Sequence, residues 1–215
     1  MLTSKKNCIM KTNILKTTLA ALALITFGCE VDDTALPKVT TTIMKEDFQT
    51  ATNNTDLDIA GWVNYSEVGT LKWKEKTYSG NGYAEFSPLN SGSPINLAWL
   101  ISPELDLDAN PNSGIAFKVA QHHLDVDAEG NSLKVLISFD YDGTNFATAT
   151  WTDITAQANI PTKSVAWYEF KSSKINLSNY SGKAHIAFKF KGSGTDTTLD
   201  GAFQVDDFIF FKQDN

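Results

Sequence analysis

The sequence predicts an all-β protein, an antiparallel β-sandwich preceded by a cleavable leader. Three observations predict it. From Ile43 onward Val, Ile, Phe, Tyr, Trp and Thr recur in short runs broken by Gly, Asn, Asp, Ser and Pro, which is the pattern of strands and turns. Several runs alternate strictly. Ile115, Phe117 and Val119 share a face opposite Lys118, and Leu133, Val135, Ile137 and Phe139 share one opposite Lys134 and Ser138. Likewise Ile186, Phe188 and Phe190 oppose His185, Lys189 and Lys191. Such strands bury one face and solvate the other, as antiparallel sandwiches do. Finally, no window sustains a helical period.

The leader covers residues 1–28. Lys5, Lys6, Lys11 and Lys16 form a basic region with no acid before Glu30, and an apolar run from Leu19 to Phe27 follows. That run is too short to span a bilayer, which takes roughly 20 apolar residues, and it reads as a secretory signal. Met10 is an alternative start to Met1. Leu24-Ile25-Thr26-Phe27-Gly28-Cys29 resembles a lipobox, with Phe27 departing from the usual small residue. Cys29 is therefore expected to be the lipid-modified first residue of an outer-membrane lipoprotein, its several acyl chains holding firmly where one would bind reversibly. The other cysteine, Cys8, lies in the leader, so the mature domain is expected to contain no disulfide.

Removing the leader takes four of the 18 basic residues and none of the 25 acidic ones, so the mature chain is more acidic than the net charge of −7. Every basic residue is lysine. Nucleic-acid binding wants a basic face, usually with arginine forks for phosphate, and is excluded. Glu30-Val31-Asp32-Asp33 resembles the acidic export tag behind the lipidated cysteine of Bacteroidetes lipoproteins sent to the outer cell face. Residues 29–42, acidic and then Thr-rich around Pro37, read as a tether, and 43–215 as one sandwich domain.

Ordered landmarks run through that domain: Glu46-Asp47-Phe48, Gly61-Trp62, the stretch Trp99 to Leu107 (WLISPELDL), Asp140-Tyr141-Asp142-Gly143, Trp151-Thr152-Asp153-Ile154 and Val205-Asp206-Asp207-Phe208. The set resembles the choice-of-anchor J family of bacterial surface proteins. It is also similar to the cleaved-adhesin domains of surface protease–haemagglutinin complexes and, more distantly, to MAM domains. The resemblance covers roughly residues 43 to 212. It implies a jelly-roll sandwich used as a binding or adhesion module, often with structural calcium, and not an enzyme. A ligand does not follow from the fold.

Alternation places Asp207 in a row with Phe203, Val205, Ile209 and Phe211, and Glu46 in a row with Met44 and Phe48. An ionised carboxylate in a core must be paired or metal-bound. Carboxylates with backbone carbonyls make an oxygen cage suited to Ca²⁺, and the resemblance carries such a site onto Glu46, Asp206 and Asp207. The alternatives are pairing with Lys45 or Lys212, or a local twist that turns these residues to solvent. The loop Asp125 to Asn131 has acids at alternate positions before Gly130, but Leu136 stands where a calcium loop would place its closing Glu. A hairpin turn is expected there, and a structural turn at Asp140 to Asn145.

His122 and His123, adjacent on a strand, should point to opposite faces, bonding backbone groups, and His185 should be solvated. No G-x-S-x-G elbow and no H-E-x-x-H motif occurs. Trp62, Trp99, Trp151 and Trp167 are expected in the core. Trp73, Tyr78 and Tyr83 are the expected ligand platform, with rings to lie against a sugar and Ser79-Gly80-Asn81-Gly82 as the turn between the tyrosines. The expected function is non-catalytic binding at the cell surface. A glycan is the first ligand considered, a protein or host glycoprotein the second, and a structural role in an outer-membrane complex the third.

Overall fold

The computed structural model describes residues 40–213. The leader, Cys29 and most of the tether lie outside the described residues. Twelve strands and one 3₁₀ turn are described: β1 Thr40–Glu46, β2 Val63–Val68, β3 Lys74–Tyr78, β4 Asn81–Phe86, β5 Asn96–Ile101, β6 Leu105–Asp106, β7 Ser113–His122, β8 Ser132–Ser138, β9 Thr152–Asp153, the turn Thr155–Gln157, β10 Lys171–Asn176, β11 Lys183–Gly192 and β12 Ala202–Gln213. One sheet runs β10-β7-β12-β4-β3, with β1 also on β12. The other runs β2-β5-β11-β8-β9, with β6 on β11. Every named pair is antiparallel. The result is an antiparallel jelly-roll sandwich.

The alternation read from the sequence sets the core. Ile115, Phe117 and Val119 of β7 meet Leu133, Val135 and Ile137 of β8 and Ile186, Phe188 and Phe190 of β11 in one buried cluster. Phe117 and Phe188 cross edge to face at 5.0 Å. Burying each such side chain contributes about 1.5–3 kcal/mol, most of it offset by chain ordering. β1 begins three residues earlier than the sequence suggests. Thr40, Thr41 and Thr42 pair with Gln213, Lys212 and Phe211, because β-branched threonines suit an edge strand wherever a partner backbone is offered.

Two irregularities shift what the first sheet presents. β12 bulges between Asp206 and Ile209, and Asp207 takes φ 49°. The alternation therefore slips by one, and Phe208 and Phe210 enter the core beyond the bulge. The row containing Asp207, Ile209 and Phe211 is thus not the core row. At the other point, Ser79 and Gly80 both have positive φ (51° and 82°), the signature of a two-residue type I′ hairpin. That turn pairs Tyr78 with Asn81 and Lys76 with Tyr83, which brings the two tyrosines to one end of the sheet.

Candidate functional site

The outer face of the first sheet holds a groove of about 520 Å³ lined by Tyr78, Asn81, Tyr83, Glu85, His122, Tyr168, Phe170 and Gln204. Alternation explains its floor. Ala84 and Phe86 of β4 and Phe203 and Val205 of β12 point into the core, so Tyr83, Glu85 and Gln204 point out. Glu85 and Gln204 are cross-strand partners. The walls are rings. Tyr78 is 75% exposed and Tyr168 53%, and Tyr83 faces Phe170 edge-on at 6.2 Å.

The segment before β10 is fastened over the end of β7. Gln121, fully buried, donates its Nε2–H to the Val165 carbonyl at 2.6 Å, and its own carbonyl accepts the Tyr168 N–H at 2.9 Å. Tyr168 sits at φ 65° and His123 at φ 55°. Non-glycine residues held in this region cost about 1–3 kcal/mol each and persist where the surroundings over-determine them. The consequence is aromatic. His122 stacks on Tyr168 at 4.8 Å, and His123 lies over Trp167 at 4.0 Å.

The left-handed turn at His123 also breaks the alternation expected of adjacent histidines. Their Nδ1 atoms are 2.8 Å apart. His122 Nε2 donates its N–H to the Glu85 carboxylate at 3.2 Å. Glu85 also accepts from Gln204 Nε2 at 2.8 Å and lies 3.6 Å from the Lys76 ammonium. Burial pushes the Glu85 carboxyl up, but the hydrogen bonds from His122 and Gln204 and the charges of His122 and Lys76 outweigh it and hold it below its ordinary 4.5. Burial, then the Glu85 charge, push the Tyr83 hydroxyl up to about 12, so it stays a neutral donor.

A depressed carboxyl stabilises the folded state above its unfolded pKa and loses that contribution as pH falls through the folded value. The stability difference between the native protein and Glu85→Gln should therefore narrow as pH drops below 4.5. Urea denaturation of both proteins across that range checks it; a constant difference contradicts the ionised network.

The residues singled out in sequence are dispersed differently. Tyr78 and Tyr83 do share the groove. Trp73 does not: it is fully buried and packs on Phe86 at 5.9 Å, because it lies on the inward row of the chain entering β3. Trp167, expected in the core, is 51% exposed, since it sits in a turn segment rather than a strand. His185, expected in solvent, is half-buried with Nδ1 2.8 Å from the Ser102 carbonyl oxygen. The Asp142 carboxylate accepts the N–H groups of Thr144 and Asn145, so that turn is structural.

The three carboxylates proposed for calcium each have their own partner. Glu46 accepts the Phe48 N–H at 2.7 Å, Asp206 the Asn81 side-chain N–H at 2.9 Å, and the bulge turns Asp207 onto Lys118 at 2.7 Å. Burial raises Glu46 and Asp206 above their ordinary values. Among the described residues no group of three or more His, Cys, Asp or Glu side chains could hold a metal ion, so these three, as placed, do not fit one shared cage. The Asp125 loop is not metal-shaped either; Asp127 accepts the Lys163 N–H at 2.8 Å.

Sequence reasoning missed Glu85, His122, Tyr168, Phe170 and Gln204. The adjacent aromatics Trp167 and Tyr168 just after the Pro161 to Ser164 turn were the available signal, because rings in a turn-rich segment have no core row to join.

Residues 108–213 match the model of a domain of unknown function (DUF5017). No curated protein matches. Among solved structures, the K1 cleaved adhesin domain of Lys-gingipain from Porphyromonas gingivalis W83 is 19% identical, covers 82% of this chain and 99% of that one, and has a TM-score of 0.51. The K3 cleaved adhesin domain of the same protein is 16% identical, covers 81% and 99%, and has a TM-score of 0.50. TmCBM61 in complex with β-1,4-galactotriose is 16% identical over 77% and 94%, with a TM-score of 0.47. The described domain therefore has the jelly-roll fold of the cleaved adhesin domains.

Proposed function

We propose that this is a non-catalytic binding module whose ligand is a glycan, taken up in the groove on the outer face of the first sheet. One observation carries the reading: exposed rings wall a groove whose floor is polar. A saccharide presents an apolar ring face edged by hydroxyls. Tyr78, Tyr168 and Phe170 suit the face, while Glu85 offers acceptors and Asn81, Gln204 and the neutral Tyr83 hydroxyl offer donors. The floor is also held in place before ligand arrives, by the Glu85, Gln204 and His122 bonds, which cuts the ordering cost of binding. The lipobox-like sequence and the acids behind Cys29 support display on the outer face of the outer membrane through a lipid on that residue.

A glycan array probed with the purified protein is expected to give a restricted set of hits that Tyr78→Ala removes. A protein or host glycoprotein is the second reading, favoured by half-exposed Trp167 beyond the groove. An array without hits, together with a partner recovered by crosslinking on whole cells, would put that reading first.

A further inference from the structure

The opposite side of the sandwich carries a second pocket of different chemistry, about 630 Å³ in volume. Alternation builds it. Leu100 of β5, Val135 of β8 and Phe188 of β11 point into the main core, so Trp99, Lys134 and Lys189 point outward. The register sets them side by side, Lys189 opposite Trp99 on one strand and opposite Lys134 on the other. Phe146 and Trp151 come over the edge from the segment after β8, and belong with Trp99 to a small apolar cluster outside the main core. Trp151 is 5.2 Å from Trp99 and donates its Nε1–H to the Phe146 carbonyl at 3.0 Å.

The charges in this pocket are unevenly answered. Lysines directly opposite each other on neighbouring strands repel, yet Lys134 and Lys189 are so placed and Lys191 follows two residues on. Lys189 is met by Glu67 at 2.9 Å and lies over the Trp99 ring at 4.4 Å. Glu67 also accepts the Trp99 Nε1–H at 2.7 Å. Lys134 is met by Glu129 at 3.3 Å and Asp153 at 3.6 Å. Lys191 lines the same pocket and makes no ion pair among the described residues. It is half-buried, in a chain whose net charge is −7. The lining holds three lysines and three carboxylates, but two of the carboxylates converge on Lys134, so Lys191 is the lining ammonium left without an ion partner among the described residues. In a pocket also lined by Trp99, Phe146 and Trp151, it is complementary to one negative charge on an otherwise polar, ring-shaped ligand.

We infer that this pocket is a second saccharide site, selective for a sugar that carries a carboxylate, with Lys191 taking the carboxylate. Glu67 and Asp153 keep lone pairs for hydroxyl donors, and Lys134 keeps N–H groups for hydroxyl acceptors. This site does not depend on the groove of the first sheet, and ligand at one leaves the other face open.

The probes are galacturonate and glucuronate, each compared with its methyl ester, titrated into the isotope-labelled full chain and followed by NMR. Uronate binding at millimolar concentration is expected to shift the indole N–H signals of Trp99 and Trp151. The esters should bind about tenfold more weakly or less, one charge-assisted contact being lost. Lys191→Met should cost uronate affinity by the same factor, Lys191→Arg should retain it, and Tyr78→Ala should leave it unchanged. Equal affinity for acid and ester, no effect of Lys191→Met in a protein of unchanged melting temperature, or no binding of either uronate would overturn the inference. Shifts confined to Tyr78, Tyr83 and Tyr168 would overturn it too, while leaving the first groove as a glycan site.

Discussion

Trp73→Ala is expected to destabilise the domain by about 3–5 kcal/mol, the range for deleting a large aromatic side chain from a packed core. Trp73 is fully buried, its ring lies against Phe86, and its backbone is tied on both sides. The Trp73 N–H donates to Asn64 Oδ1 at 3.0 Å, and its carbonyl accepts from Asn64 Nδ2 at 2.8 Å and from the Leu57 N–H at 2.9 Å. Those bonds survive the substitution, so the loss is packing. The indole Nε1–H has no acceptor among the described residues. Trp73→Phe therefore removes an unsatisfied donor along with some volume and should cost less than Trp73→Ala. Denaturant melts give both values. Affinity per folded molecule should not change, which separates a core tryptophan from a ligand-stacking one.

Removing Tyr78 and Tyr168 together has the opposite profile. Both rings are more than half exposed, so Tyr78→Ala with Tyr168→Ala should alter stability by no more than about 1 kcal/mol. Rings that anchor a ligand cost about 2–4 kcal/mol when truncated, roughly 30- to 1000-fold in affinity. Calorimetric titration of an array-selected glycan against native and doubly substituted protein measures it. A loss of affinity matched by an equal loss of stability would mean the rings support the fold rather than the ligand.

The fold was legible because alternation is a local property. Ile115, Phe117 and Val119, or Ile186, Phe188 and Phe190, announce an inward row from the residues alone, and those rows form the core. The tyrosine pair was legible for the same reason, since Ser79-Gly80 is a recognisable turn and fixes what flanks it. What could not be read were the points where alternation stops. Asp207 leaves its row through a bulge, and His123 turns its ring beside that of His122 through a left-handed backbone. Neither residue type requires such a conformation, so nothing local signals it. The floor of the groove was hidden for a further reason. Glu85, His122 and Gln204 lie on three strands far apart in sequence and become neighbours only through the sheet order. Trp73 and Trp167 were exchanged between core and surface because an aromatic residue looks the same in a strand and in a turn until the row it joins is known.

Chemical-shift mapping of an array-selected glycan on the isotope-labelled protein tests the groove most directly. The largest changes should fall on Tyr78, Asn81, Tyr83, Glu85, His122, Tyr168 and Gln204, and Tyr168→Ala should abolish or sharply weaken them. Changes spread over Ile43, Leu89 and Ile95, or none on the first sheet, would contradict a glycan site there.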